Sequence, residues 1–214
     1  MGEVIRLADR REARRAKPRQ RRIRVEFLFD LACPFTYLAA ERVVRAFHDV
    51  SWRPASSTAL HAGSLGSDGV ALAGVRSAAE QRARELRLPL VWPESWPADV
   101  PAAMRVAAYA AESGRGAEFV LAAGRLAFCG GFDLDDPEIL AEAAAAAGLG
   151  LEGCLRAAGE RRRDVTIEND GRRLLAVGAD RLPALRVGRS LYWGEGQVAE
   201  AAFAARVQAV VSRA

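Results

Sequence analysis

Lysine is nearly missing from this chain: Lys17 stands alone against 30 arginines in 214 residues. Alanine is abundant throughout, and the two biases together read as a composition effect from which no function follows. Cysteine is scarce as well. Cys33, Cys129 and Cys154 are odd in number and lack metal-type spacing, which argues against a disulfide scaffold and a zinc site and leaves three free thiols in a reducing compartment. No run approaches the roughly 18 apolar residues of a membrane span. Behind the basic N-terminus, residues 25–30 are too few and too charged to form a secretory core. A cytoplasmic protein without membrane contact is therefore expected. Histidine is limited to His48 and His61, and no internal repeat is found.

What is present is ordinary for a soluble globular chain. Half the residues are hydrophobic and 27% are charged, over a length able to bury a substantial core in one domain or in one domain carrying a large insertion. The net charge is only +4, and much of the basic excess sits in the first 24 residues. Residues 1–22 read as a disordered, solvated arm. Clustered arginines also release counterions from phosphates, but no aromatic residues interleave and no nucleic-acid-binding motif follows. Nucleic acid is the lesser reading.

Residues 23–29 alternate Ile23, Val25, Phe27 and Phe29 with Arg24, Glu26 and Leu28, the period of a strand. Pro34 suits the first turn of a helix, where its missing N–H leaves nothing unpaired. Phe35, Leu38, Ala39, Val43 and Phe47 then recur at helical spacing. A second short strand over 50–53 is expected parallel to the first, because a helix crosses between them. From 71 to 158 the pattern is helical, with elements predicted over 78–86, 101–112, 116–128 and 137–147. Asp135 and Asp136 mark the start of the last of these. A helix over 166–177, two short strands about Gly188 and Arg189, and a closing helix from Ala199 to Val210 complete the chain. The domain plan is a basic arm (1–22), a domain assembled from 23–58 and 159–214, and a helical subdomain (59–158) inserted between its halves.

Three stretches carry a family likeness: VEFLFDLACPFTYLAAERV at 25–43, LRLPLVWPESWPADVPAAMRVAAYAAESG at 86–114 with FDLDDPEILAEAAAAAGL at 132–149, and RLPALRVGRSLYWGEGQV at 181–198. On these the chain resembles, over nearly its whole length after residue 22, the DsbA-like family, which includes the kappa-class glutathione transferases and the 2-hydroxychromene-2-carboxylate isomerases. The resemblance implies an α/β thioredoxin fold with an inserted helical subdomain and an active turn at Cys33-Pro34-Phe35-Thr36. In the family's thiol oxidoreductases that motif is Cys-Pro-X-Cys; in the isomerase and kappa branches it is typically Ser-Pro-X-Ser. The resemblance also implies a cis-proline at Pro183, with Leu182 presenting backbone groups to a thiol cosubstrate. Arg53 and the Trp193-Gly194-Glu195 turn would line the same site. The implied cosubstrate is glutathione or another low-molecular-weight thiol, no metal takes part, and homodimers are common in the family.

The residues also carry a chemistry of their own. A thiolate at a helix N-terminus is favoured by unpaired N–H groups and the helix dipole, which predicts a Cys33 pKa lowered from about 8.5 toward 7 or below. Thr36 sets a hydroxyl beside the sulfur. It also removes the usual intramolecular route of a dithiol oxidase, because threonine cannot resolve a mixed disulfide. After Trp193-Gly194-Glu195 the chain has Gly196-Gln197, where the kappa and isomerase branches carry an Asp-Arg pair that holds the glutamyl end of glutathione. His61, on the presumed site edge, is a candidate general acid or base near neutral pH. His48 is given no role. Cys129 and Cys154 are expected in the core.

The leading expectation is a thiol-dependent oxidoreductase acting on a small-molecule substrate, with Cys33 reacting and Thr36 stabilising its thiolate. An isomerase or transferase of the same family is one alternative, and a non-catalytic thioredoxin-like binding module is another. A Cys33 titrating at or above about 8.5 favours the module.

Overall fold

The computed structural model describes residues 23–61 and 69–211; the basic arm, and the nucleic-acid reading that rests on it, lies outside them. The N-terminal alternation becomes strand β1 (Val25–Phe29), whose five residues are all buried. They are buried because β1 is central in a four-stranded sheet of order β2-β1-β3-β4. Strand β2 (Val50–Pro54) runs parallel to β1 with Trp52 opposite Phe27. Strand β3 (Ala184–Val187) runs antiparallel on the other side with Leu185 opposite Phe27, and β4 (Ser190–Trp193) closes that edge. Glu26, on the polar side of β1, is buried with Arg53 and Arg186 each 3.8 Å away on the flanking strands.

Helix α1 (Pro34–Ala46) makes the crossover from β1 to β2. A short helix α2 (Ser57–His61) follows β2; Ser56 Oγ accepts the Ala59 N–H at 3.1 Å and helps start it. Then follow α3 (Gly69–Leu86), α4 (Pro101–Glu112), α5 (Gly116–Phe128), α6 (Pro137–Ala146), α7 (Leu151–Gly159) and α8 (Arg162–Ala176). Helix α9 (Val198–Val211) closes the chain after β4. Helix α3 starts at Gly69 rather than near 78: Leu72 and Val75 extend the spacing of Ala79, Ala83 and Leu86, but Gly69 and Gly74, poor helix formers, interrupt it. Helix α8 starts at Arg162 rather than 166, because its first turn, Arg162, Arg163 and Asp164, is polar.

One core joins the sheet to the helices inserted after β2. Phe27 and Trp52 meet edge to face at 4.9 Å, and they share a buried cluster with Val106 of α4 and Phe119 and Phe128 of α5. Each such side chain, fully buried, contributes about 2–3 kcal/mol. On the opposite face a smaller cluster gathers Leu28, Leu174, Leu182 and Ala184. Helix α8 comes very close to the β2–α2 connection there: a Cβ built on Gly171 would lie 2.4 Å from the Ser56 carbonyl oxygen. Only glycine permits that approach. Among the described residues no helix is long and apolar enough to cross a membrane.

Candidate active site

Cys33 caps the N-terminus of α1 with extended backbone (φ −89°, ψ 117°), and Pro34 follows in the first turn. The Cys33 N–H donates to the Asp30 carbonyl at 3.1 Å, and the Cys33 carbonyl accepts the Thr36 N–H at 3.0 Å. These bonds set a tight strand-to-helix turn. Across from it the Leu182–Pro183 peptide is cis, and the Cys33 thiol donates to the Leu182 carbonyl oxygen at 3.6 Å. The structure thus brings together Cys33, Pro34, Phe35, Thr36, Leu182 and Pro183. Gly194, at φ +88°, donates its N–H to the Pro183 carbonyl at 2.8 Å, which ties the turn after β4 to the proline loop. Trp193 stands beside it, partly exposed.

The charge state of Cys33 differs from expectation. Its thiol is pushed up to about 11, first by burial and second by the nearby Asp30 carboxylate. The Thr36 and Phe35 N–H groups and the Thr36 hydroxyl pull the other way, so the helix-start donors are present as predicted. They are outweighed. The residue as a whole is only half-buried, so the cover over the sulfur is thin, and the upward direction is its effect together with the acid below. Thr36 is almost wholly buried, and its Oγ1 also accepts the Asp30 N–H at 3.4 Å.

Asp30 is the residue that sequence reasoning passed over. Its carboxylate is buried at the end of β1, where Oδ1 accepts the Ala32 N–H at 2.9 Å. Oδ2 accepts the Ser57 N–H at 2.9 Å and the Ser57 hydroxyl. Burial raises its pKa, and those three bonds oppose the rise. An aspartate three residues ahead of a cysteine was the available signal.

Two residues expected on a ligand are found in internal ion pairs. Arg53 grips Asp170 of α8 through Nε at 3.2 Å and Nη2 at 2.6 Å. Glu195, 5% exposed, is held by Arg42 of α1 and by Arg82 of α3, whose Nε lies 2.6 Å away. It fastens α1 to α3. His61 ends α2, but its side chain lies outside the described residues. His48 is exposed beyond the far end of α1. Cys154 is buried as expected, whereas Cys129 is exposed at the C-terminal cap of α5. The helical spacing that suggested a core position for it runs out one residue earlier.

On the other flank of the turn, the Trp96 indole N–H donates to the Ala32 carbonyl at 3.0 Å, and the Trp92 ring lies 4.5 Å from that of Trp96. A cleft of about 20 Å³ lined by Leu31, Ala32, Trp96, Phe132 and Asp135 adjoins it, room for no more than a water-sized group. A larger groove of about 450 Å³ opens at the opposite end of the sheet, among Val44, Phe47, His48 and Trp52, far from the sulfur. Among the described residues no group of three His, Cys, Asp or Glu side chains is placed to hold a metal.

A mixed sheet of this order, with a cysteine-proline helix start facing a cis-proline, defines a thioredoxin-fold protein. The chain belongs to the DSBA-like thioredoxin domain family, whose model matches residues 24–204. Among solved structures it is similar to a 2-hydroxychromene-2-carboxylate isomerase (TM-score 0.71, 16% identity, 89% of this chain and 98% of that one). It is similar to a protein described as a probable DsbA oxidoreductase from Streptomyces coelicolor (0.67, 23%, 90% and 92%). It is also similar to the cytosolic disulfide reductase DsbM from Pseudomonas aeruginosa, solved with GSH (0.62, 20%, 86% and 98%). No curated protein matches the sequence.

Proposed function

We propose that this chain is a thiol-dependent oxidoreductase in which Cys33 works without a second cysteine in its motif and a low-molecular-weight thiol, glutathione or another, completes the cycle. The observation that carries the reading is the placement of Cys33 at the helix start, 3.6 Å from the Leu182 carbonyl, with a hydroxyl and no thiol at position 36. Cys33 gives its proton to solvent and its thiolate attacks one sulfur of a disulfide. That S–S bond breaks, the departing thiolate takes up a proton, and Cys33 is left in a mixed disulfide. A small thiol attacks the Cys33 sulfur of this mixed disulfide, which releases the second substrate sulfur as a thiol and leaves Cys33 joined to the small thiol. A second small thiol attacks the outer sulfur of that adduct, restores Cys33 and departs in a small-thiol disulfide, so the substrate is reduced by two electrons and two small thiols are oxidised. Support comes from the description of DsbM as a cytosolic disulfide reductase solved with GSH. The same reading makes the protein a cytoplasmic homodimer with a small-molecule substrate, and makes 59–158 an inserted subdomain.

A second reading has one observation in its favour: with its thiol pushed up to about 11, Cys33 is S–H at neutral pH and a hydrogen-bond donor. Such a group can hold the sulfur of a bound small thiol, as an isomerase or transferase of this family requires. Substituting Cys33→Ser separates the two. Glutathione-dependent reduction of a small disulfide is expected to vanish in C33S, since serine cannot form a mixed disulfide. Full retention of a thiol-dependent activity in C33S overturns the oxidoreductase reading, because a serine hydroxyl still donates. A binding module shows neither activity.

A further inference from the structure

Arg76 of α3 packs against a pair of touching indoles. Its guanidinium carbon lies 4.9 Å from the Trp92 ring centre and 5.1 Å from that of Trp96, and one Nη2 hydrogen reaches the Trp96 carbonyl at 3.3 Å. Arg42, Arg53, Arg82, Arg105 and Arg163 each meet a carboxylate. Arg76 does not: among the described residues no carboxylate stands at ion-pair distance from it. Glu80, one turn further along the same helix, instead accepts the Trp92 indole N–H at 3.0 Å. A guanidinium offers five N–H donors in a rigid planar fork. The indoles lie together on one side of it, one hydrogen is used, and among the described residues the rest of the fork has no hydrogen-bond or ion-pair partner. The indole pair is joined to the reacting turn, because the Trp96 indole bonds the carbonyl of Ala32, the residue before Cys33.

We propose that Arg76 is an anion-recognition residue of the Cys33 site, its open fork binding a carboxylate of the molecule that reacts at Cys33. The proposal rests on the reading of Cys33 as a reacting thiol. Packing against Trp92 and Trp96 restricts the fork before a ligand arrives, which reduces the ordering that binding must supply. Partial burial strengthens its attraction relative to open water. Acids stand against it: Asp30 lies under the turn, and Asp133 and Asp135 border the cleft that Trp96 also lines. The charge preference of the site therefore depends on whether an incoming anion meets Arg76 or these carboxylates, and that preference can be measured.

Iodoacetate and iodoacetamide differ in a carboxylate against a neutral amide and alkylate the same sulfur. In a background of Cys129→Ser and Cys154→Ser, the rate ratio of iodoacetate to iodoacetamide at Cys33 is compared with the ratio for free cysteine. The expected ratio is about fivefold above that of free cysteine, falling to the free-cysteine value in Arg76→Gln and only partly in Arg76→Lys, which keeps the charge but loses the fork. Dividing by the iodoacetamide rate of the same protein cancels any change in the Cys33 thiolate itself, and unchanged urea midpoints show that the variants remain folded. A ratio at or below that of free cysteine, or one that Arg76→Gln leaves unchanged, overturns the assignment of Arg76 alone. A Cys33 inert to both reagents defeats the reacting-thiol reading, and the proposal with it.

Discussion

Asp30→Asn perturbs the ionisation of Cys33 with little change in shape. The Cys33 thiol is pushed from 9.0 to about 11, so well below both values it holds about a hundredfold less thiolate than an unperturbed thiol. Set against free cysteine near 8.5 at pH 7.5, the thiolate fraction is smaller by about three hundredfold. The more basic sulfur is also a better nucleophile, with a Brønsted slope of about 0.45, which returns roughly tenfold. Cys33 should therefore react with iodoacetamide some twenty- to thirtyfold more slowly than free cysteine. Burial is the larger cause and Asp30 the second, so Asp30→Asn should lower the midpoint yet leave it above 9. The assay is the iodoacetamide rate at Cys33 from pH 7 to 11, with Cys129 and Cys154 replaced by serine. A wild-type midpoint at or below 8 refutes the reasoning, as does an Asp30→Asn midpoint that stays put or rises. Stability follows with a fixed sign. For a thiol raised on folding, the unfolded chain ionises first, so the contribution is whole below about 9 and is lost as pH rises to about 11. Asp30, also raised, has the same sign in acid: the wild type should lose stability relative to Asp30→Asn as pH climbs past 3.8.

Thr36→Cys should turn the motif into a dithiol that closes an internal disulfide, seen as a loss of two thiols by titration and a new ability to oxidise or reduce protein disulfides; two persistently free thiols count against the assigned turn geometry. The Arg53–Asp170 pair should respond unequally. Arg53→Met leaves Asp170, 5% exposed, with Arg173 at 3.3 Å as its remaining cation among the described residues and should cost about 2–3 kcal/mol. Asp170→Asn leaves a 38% exposed Arg53 to water and should cost about 1 kcal/mol; urea midpoints in the reverse order contradict the pairing. Gly171→Ala should destabilise by more than about 2 kcal/mol, because its Cβ would sit 2.4 Å from a backbone oxygen, and a neutral result would mean that α8 does not approach Ser56 so closely.

The parts of the fold that could be read in advance are those set by neighbours in sequence. Alternation gave β1, the Cys33-Pro34 break gave the start of α1, and Gly188 gave the hairpin of β3 and β4. The start of α3 was missed because Gly69 and Gly74, poor helix formers, interrupt the spacing that Leu72 and Val75 carry. In the site, Cys33 and Leu182-Pro183 were legible from local chemistry and family pattern. The ionisation of Cys33 was not, because it depends on cover from Leu182, 149 positions away, and on the burial of Asp30, which no local pattern reports. Arg53 and Glu195 were read as ligand groups because their partners lie 117 and 113 positions off, at Asp170 and Arg82. Arg76 was missed for a related reason: one arginine on a helix in an arginine-rich chain reads as solvated surface until Trp92 and Trp96 are seen to pack against it.

The central claim is that Cys33 reacts through a mixed disulfide that no second protein thiol resolves. Peptide-level mass spectrometry of the wild-type protein, after oxidised glutathione at mildly alkaline pH and then reduced glutathione, tests this directly. The exposed Cys129 serves as an internal comparison. The expected result is a glutathione adduct that forms at Cys33 more slowly than at Cys129 and that reduced glutathione removes to restore the free thiol. A Cys33 still unmodified when the reaction with oxidised glutathione has run to completion, or a Cys33 adduct that collapses into a disulfide with Cys129 or Cys154, contradicts it.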